Sequence, residues 1–131
     1  MRVGSGASLA ASGTNASTVF DGRNLDIVAG GSATFSGELE VGLNVAGASN
    51  AITNAGSLTL AGGAGGGRLS HVFSNAGTVT LTNTGTITKT GAGTYVLGNS
   101  GGSVTLANAG LLGVTAGTLA VQGTNVANTG T

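Results

Sequence analysis

Apolar and polar residues alternate along most of this chain in short runs, and nearly every run opens on a glycine. Gly31 is followed, two and four positions later, by Ala33 and Phe35; Gly37 by Leu39 and Val41; Gly56 by Leu58 and Leu60; Gly77 by Val79 and Leu81. The pattern continues at Gly93 (Tyr95, Leu97), Gly102 (Val104, Leu106), Gly110 (Leu112, Val114) and Gly117 (Leu119, Val121), with a half-copy from Gly85 to Ile87. Two-residue alternation sets these residues on one face of a strand and the intervening Ser, Thr, Ala and Glu on the other. Each run predicts a strand of about five residues with one buried and one wet side. No segment has a capped 3.6-residue period, so no helix is predicted.

The spacing of the runs decides how the strands are joined. From Gly77 the glycines fall 8, 8, 9, 8 and 7 residues apart. Gly77 and Gly102 are separated by 25 residues, Gly93 and Gly117 by 24, Gly31 and Gly56 by 25, and Gly56 and Gly77 by 21. Three short strands per turn account for that recurrence, which predicts a three-sided single-stranded parallel β-helix. With strands stacked about 4.8 Å apart, some five to six rungs make a rod roughly 25–30 Å long. A hairpin array fits less well, because tight hairpins favour Asn-Gly or Asp-Gly and only Asp21-Gly22 occurs here. The commoner corner is Asn-Ala-Gly, at Asn54, Asn75 and Asn108. Asn54 and Asn75 are expected to stack as a ladder, with Asn108 at a different corner. Leu25 and Ile27 around Asp26 read as a strand entered by a turn at residues 21–24. Residues 61–71, with five glycines between Gly62 and Gly67, read as a flexible loop outside the packed strands. The whole of 1–131 reads as one solenoid segment.

Composition agrees with a strand-and-corner repeat. Gly alone supplies 27 of the 131 residues; hydrophobic residues make up 40% and charged residues 6%. Disordered chains combine low hydrophobicity with high charge, the opposite balance. Four basic and four acidic residues cancel, and no basic stripe exists to displace counterions from a phosphate backbone, which argues against nucleic acid as a partner. Without cysteine there is neither a disulfide framework nor a thiolate metal site. The first residues lack the apolar core of a signal peptide, and no run approaches the ~18 apolar residues of a membrane helix. Both ends read as uncapped rungs, so the chain is expected to be a piece of a longer protein and to associate end to end.

The residues able to carry chemistry are few. Glu38 and Glu40 share the outer face of one strand; paired carboxylates serve glycoside hydrolysis, but here a solvated strand face explains them better. Asp21 and Asp26 read as turn and strand-edge residues. His71 is the only histidine, with no Cys and no later acid to complete a metal site or a triad. Arg68, beside the glycine run, is a candidate contact for a glycan or an anion, but a solvated loop explains it better. Lys89 falls at an inward position after Gly85, where a lone ammonium is costly, so either that strand ends at Thr88 or Lys89 snorkels at a corner. Thr78, Thr80, Thr82, Thr84, Thr86, Thr88 and Thr90 alternate over two strands. An outward Thr array in every rung would suit ice binding, whereas this run is concentrated in one rung. No catalytic, cofactor-binding or metal-ligating residue is assigned, and an enzyme is not expected.

Thr88-Lys89-Thr90-Gly91-Ala92-Gly93-Thr94-Tyr95-Val96-Leu97, continued by Asn108-Ala109-Gly110-Leu111-Leu112 and Ala116-Gly117-Thr118-Leu119-Ala120-Val121, resembles the passenger-associated β-strand repeat of bacterial autotransporters. The likeness covers residues 86–121, with a looser version over much of 30–85. Tyr95 stands where that repeat favours Leu, and the corner at Asn99-Ser100 is shortened. The resemblance implies a right-handed β-helix. It implies export across the outer membrane of a Gram-negative bacterium by a β-barrel translocator in the parent chain, and residence at the cell surface or outside the cell. The role implied is that of a passenger or stalk supporting folding during export and adhesion. The alternatives are an adhesin module binding a glycan, a host surface or a neighbouring cell, and a polysaccharide lyase or hydrolase or an ice-binding solenoid on the same scaffold.

Overall fold

In the computed structural model the described residues are 1–12, 17–20, 23–41, 49–62, 67–71, 78–98, 103–122 and 126–131. They form short strands, three to a coil. The first coil holds β1 (Arg2–Val3), β2 (Ser8–Ala11) and β3 (Ser17–Phe20); the second, β4 (Leu25–Ile27), β5 (Ser32–Phe35) and β6 (Glu38–Val41). The third holds β7 (Ser49–Asn54), β8 (Ser57–Ala61) and β9 (Gly67–His71); the fourth, β10 (Thr78–Asn83), β11 (Thr86–Thr90) and β12 (Thr94–Leu97). The fifth holds β13 (Ser103–Asn108), β14 (Leu111–Val114) and β15 (Thr118–Val121), and β16 (Val126–Asn128) opens a sixth. Among the described residues there is no helix.

Each strand lies parallel on the strand three before it, which gives three sheets. Sheet A has the order β1-β4-β7-β10-β13-β16, sheet B β2-β5-β8-β11-β14, and sheet C β3-β6-β9-β12-β15. This is a three-sided parallel β-solenoid, as the glycine spacing predicts. Antiparallel meanders are not seen among the described strands.

The core is a set of columns, because stacking in register sets like on like. In sheet A, Leu25, Ile52, Leu81, Leu106 and Val126 follow one another. In sheet B, Leu9, Ala33, Leu58, Ile87 and Leu112 do the same. The second and fourth residues after Gly31, Gly56, Gly77, Gly93 and Gly102 are all buried. The corresponding residues after Gly110 and Gly117 occupy inward register positions, but the last coil leaves them half-buried or exposed.

Three sequence expectations need correction. Residues 67–71 are not loop. They form β9, which pairs with β6 and β12 and buries Leu69 in the core. Any excursion is confined to the interval between Ala61 and Gly67, and residues 63–66 lie outside the described residues. Asn108 is not at a separate corner but in the same column as Asn54, while Asn75 lies outside the described residues. Lys89 does not leave the strand: β11 continues to Thr90 and the side chain points inward.

Gly67 shows why the glycine-rich segment can still pack. A Cβ there would stand 2.7 Å from Cδ2 and Cε2 of Tyr95, the next residue in its column. The ring occupies the space that Gly67 leaves bare. Replacing Tyr95 by Leu is expected to cost about 2 kcal/mol through the void it opens. Gly67→Ala should be strongly destabilising in the native chain and much less so beside Tyr95→Leu. A double-mutant cycle by chemical denaturation reads this coupling; additive effects would contradict the packing.

Candidate functional site

Two constellations of buried polar groups lie at two of the three corners of the solenoid. At the corner between sheets A and B, Asn54, Asn83, Asn108 and Asn128 end successive strands and stack in register. Asn54 Nδ2 donates to Asn83 Oδ1 at 2.7 Å, Asn83 Nδ2 to Asn108 Oδ1 at 2.6 Å, and Asn108 Nδ2 to Asn128 Oδ1 at 2.7 Å. The amides all run the same way along the stack. Asn83 also donates to the carbonyls of Gly85 and Leu111, and Asn54 to that of Thr86. Asn54, Asn83 and Asn108 are buried.

The ladder sets the shape of the corner. Asn54, Asn83 and Asn108 are each followed by two residues, Ala55-Gly56, Thr84-Gly85 and Ala109-Gly110, before the next strand begins. In the earlier coils the same column holds Val3 and Ile27, and the corners lengthen to Gly4–Ala7 and Val28–Gly31. Those longer corners place Gly6 and Gly30 at φ of 74° and 77°, where glycine is favoured. An inward carboxamide that reaches its own corner's carbonyls therefore replaces two residues of turn. The tightness has a consequence at Gly85, where a Cβ would lie 2.2 Å from the carbonyl oxygen of Gly56 in the coil before. The ladder begins where the column turns apolar: Asn54 Oδ1 is buried with no partner among the described residues, and its register neighbour is Ile27.

The second constellation is at the corner between sheets B and C. Lys89 lies in the column Phe35, Leu60, Lys89, Val114 and is fully buried. Its Nζ donates to the carbonyl oxygens of Thr90 at 2.6 Å, Gly91 at 2.9 Å and Ala116 at 3.2 Å. The first two belong to its own corner and the third to the corner of the next coil. The ammonium has three protons and three acceptors, so its desolvation is offset without a carboxylate. Among the described residues it forms no ion pair. Gly62 makes room above it, since a Cβ there would stand 3.2 Å from Lys89 Cε.

On the outside, sheet B carries two columns of hydroxyls. One follows Ser8, Ser32, Ser57 and Thr86; the other follows Thr34, Thr59 and Thr88. The Thr run from Thr78 to Thr90 does lie in one coil, on β10 and β11, while on sheet B a Ser/Thr pair recurs on β5, β8 and β11.

The sequence-level candidates for acid–base or metal chemistry are not brought together among the described residues. Asp26 faces Arg2 in an exposed pair, Nε to Oδ2 3.6 Å. Glu38 and Glu40 lie on β6 in register with Arg68 and Ser70 of β9, but the side chains of both glutamates and of His71 fall outside the described residues, as does Asp21. No group of three or more His, Asp or Glu able to hold a metal occurs among the described residues. Asn83 and Asn128 were missed as ladder residues. Their signal is Asn-Thr-Gly at 83–85 and 128–130, the same corner as Asn-Ala-Gly with Thr in the middle.

Fold and buried polar columns together define a β-solenoid protein. Comparison with family models, curated proteins and solved structures returned no match.

Proposed function

We propose that this chain is a structural solenoid segment of an autotransporter-type passenger, a stalk at or released from a Gram-negative cell surface, with its β-barrel translocator in the parent chain. The observation that carries the reading is where the residues of the repeat-like motif fall. Lys89 closes a corner, Tyr95 and Leu97 fill the core, and Leu119 and Val121 continue their columns. A motif spent wholly on core and corners is an architectural motif, and the recurring unit lets a chain fold one coil at a time on the coil before it. That mode of folding suits a chain emerging from a pore.

The test is export. The chain is placed between a cleavable export signal and an outer-membrane β-barrel, and intact cells are treated with protease. The expected result is a protease-resistant surface fragment, reduced several-fold by Leu97→Asp, which puts a charge in the core, and unchanged by Thr94→Asp on the exposed face. Wild-type chain held in the periplasm, or display indifferent to Leu97→Asp, would reject the stalk reading. Loss of binding to a glycan array on deleting residues 63–66 would move the assignment to an adhesin module.

The hydroxyl columns of sheet B favour a second reading, a water-ordering face. Thermal hysteresis that vanishes with Thr59→Tyr supports it, and its absence from the native chain removes it.

A further inference from the structure

We propose that the corner between sheets B and C is a binding site for a primary ammonium ion, which Lys89 fills from within the chain, and that filling it seats the corner of the fifth coil on that of the fourth. The Nζ contacts divide unevenly between coils. Thr90 and Gly91, whose carbonyl oxygens accept at 2.6 and 2.9 Å, belong to the corner that Lys89 itself enters. Ala116, accepting at 3.2 Å, belongs to the same corner one coil later. Two acceptors hold the head group, and the remaining N–H reaches forward to the coil that follows.

The site is built of main chain. Gly91 and Gly117 have φ of 81° and 71°, a left-handed conformation that glycine adopts without strain. A Cβ on Gly91 would run into the carbonyl oxygen of Gly62, and one on Gly117 into those of Gly91 and Gly93, so bare backbone from three coils stacks here. The arriving corner is also pinned on both sides of Ala116. The amide and the hydroxyl of Thr115 donate to the carbonyl of Lys89 at 2.9 and 3.1 Å, and Thr118 N–H donates to that of Gly93 at 3.3 Å. Turn geometry thus aims the three acceptors, and the aliphatic stem of Lys89, between Leu60 and Val114 in its column, only delivers the head group.

The acceptors define what the site takes. A primary ammonium has three N–H donors diverging from one atom, which matches three carbonyls converging on one point. A guanidinium is planar and presents its donors as a fork. A quaternary ammonium carries the charge without donors, and an alcohol carries one donor without the charge.

Cutting the tether tests this. Lys89→Ala keeps Cβ and removes the equivalent of n-propylammonium, which is therefore the probe. In this variant the amides of Thr115 and Thr118 should exchange hydrogen about tenfold faster or more, while Leu111 N–H, bonded to Gly85 at the neighbouring corner of the same coil, keeps its rate. n-Propylammonium chloride should restore protection saturably in the millimolar range, and tetramethylammonium chloride and 1-propanol should not. Equal rescue by propanol would reduce the site to a void, and no rescue, or equal loosening at Leu111, would equally overturn the proposal. The native chain supplies a measurement that does not depend on the variant folding. Lys89 is the only lysine, so isotopic labelling of lysine nitrogen gives a single Nζ resonance. Its protons should exchange about a hundredfold slower than those of free lysine and show couplings across the hydrogen bonds to the three carbonyl carbons. Exchange as fast as in free lysine would overturn the proposal.

Discussion

Replacing Lys89 by methionine is expected to lower the stability of the chain by about 3 kcal/mol, although methionine is better suited to an apolar column. The reason is what remains behind. Methionine fills much of the space but donates nothing, and the carbonyls of Thr90, Gly91 and Ala116 lose the donor they converge on. A hydrogen bond to a charged group contributes roughly 1.5–3 kcal/mol, and each buried orphan acceptor costs a further desolvation penalty. Opposing this, removing a buried charge relieves its own desolvation, which is why the net expectation is far below the sum of three bonds. Urea denaturation should show the midpoint falling with little change in slope. Lys89→Arg is expected to fare no better, because the longer planar head must pass Gly62, which stands close to Lys89 Cε. A stable Lys89→Met variant would mean that the three carbonyls find water, and the ammonium would lose its structural role.

Asn83→Leu is expected to be the most damaging single change at the corners, by about 3–5 kcal/mol. Asn83 accepts from Asn54 and donates to Asn108, Gly85 and Leu111. Leucine of similar volume strands a buried donor on one side and a buried acceptor on the other, and the short corner at Thr84-Gly85 loses the amide that closes it. The check is a gradient along the ladder. Asn128→Leu, at an exposed position that accepts from Asn108 alone, should cost under about 1 kcal/mol. Equal losses at positions 83 and 128 would show that the ladder's interior bonds carry no special weight. Hydrogen exchange offers a second readout: in Asn83→Leu the amides of Thr84 and Gly85, both bonded to the carbonyl of Asn54, should lose protection before those of the sheet centres.

Much of the architecture was legible because a parallel solenoid is nearly one-dimensional. Each core residue meets its counterparts one coil away, so a local rule such as glycine, then apolar at the second and fourth positions, already states the packing. Leu58, Ile87 and Leu112 could be assigned to one buried face without knowing anything distant in sequence. What resisted reading was polar or glycine-rich, where a residue's cost depends on a neighbour in another coil. Lys89 looked too expensive to bury, because the carbonyls that compensate it belong partly to Ala116, far along the chain. Gly67 looked unable to hold a strand, because the ring that fills its space belongs to Tyr95. Asn83 was passed over because Thr84 stands where the other corners have Ala. Coil length added to the difficulty: the ladder residues are 29, then 25, then 20 apart, so no fixed period connects them.

That irregular length is absorbed unevenly. From Asn54 onward the vertex closed by the carboxamides admits two residues, while the intervals between β6 and β7, and between β8 and β9, run from Gly42 to Ala48 and from Gly62 to Gly66. Insertions and grafted peptides should therefore segregate by seam. A short epitope introduced within residues 42–48 or 63–66 should leave the melting temperature nearly unchanged, and the same epitope between Asn83 and Thr86 should abolish folding. A prism built this way has one bare longitudinal ridge along its later coils, and on the ridge that Lys89 closes ornament is confined to the earlier coils, so that variation can accumulate at chosen heights along the rod while the bare ridge keeps its shape.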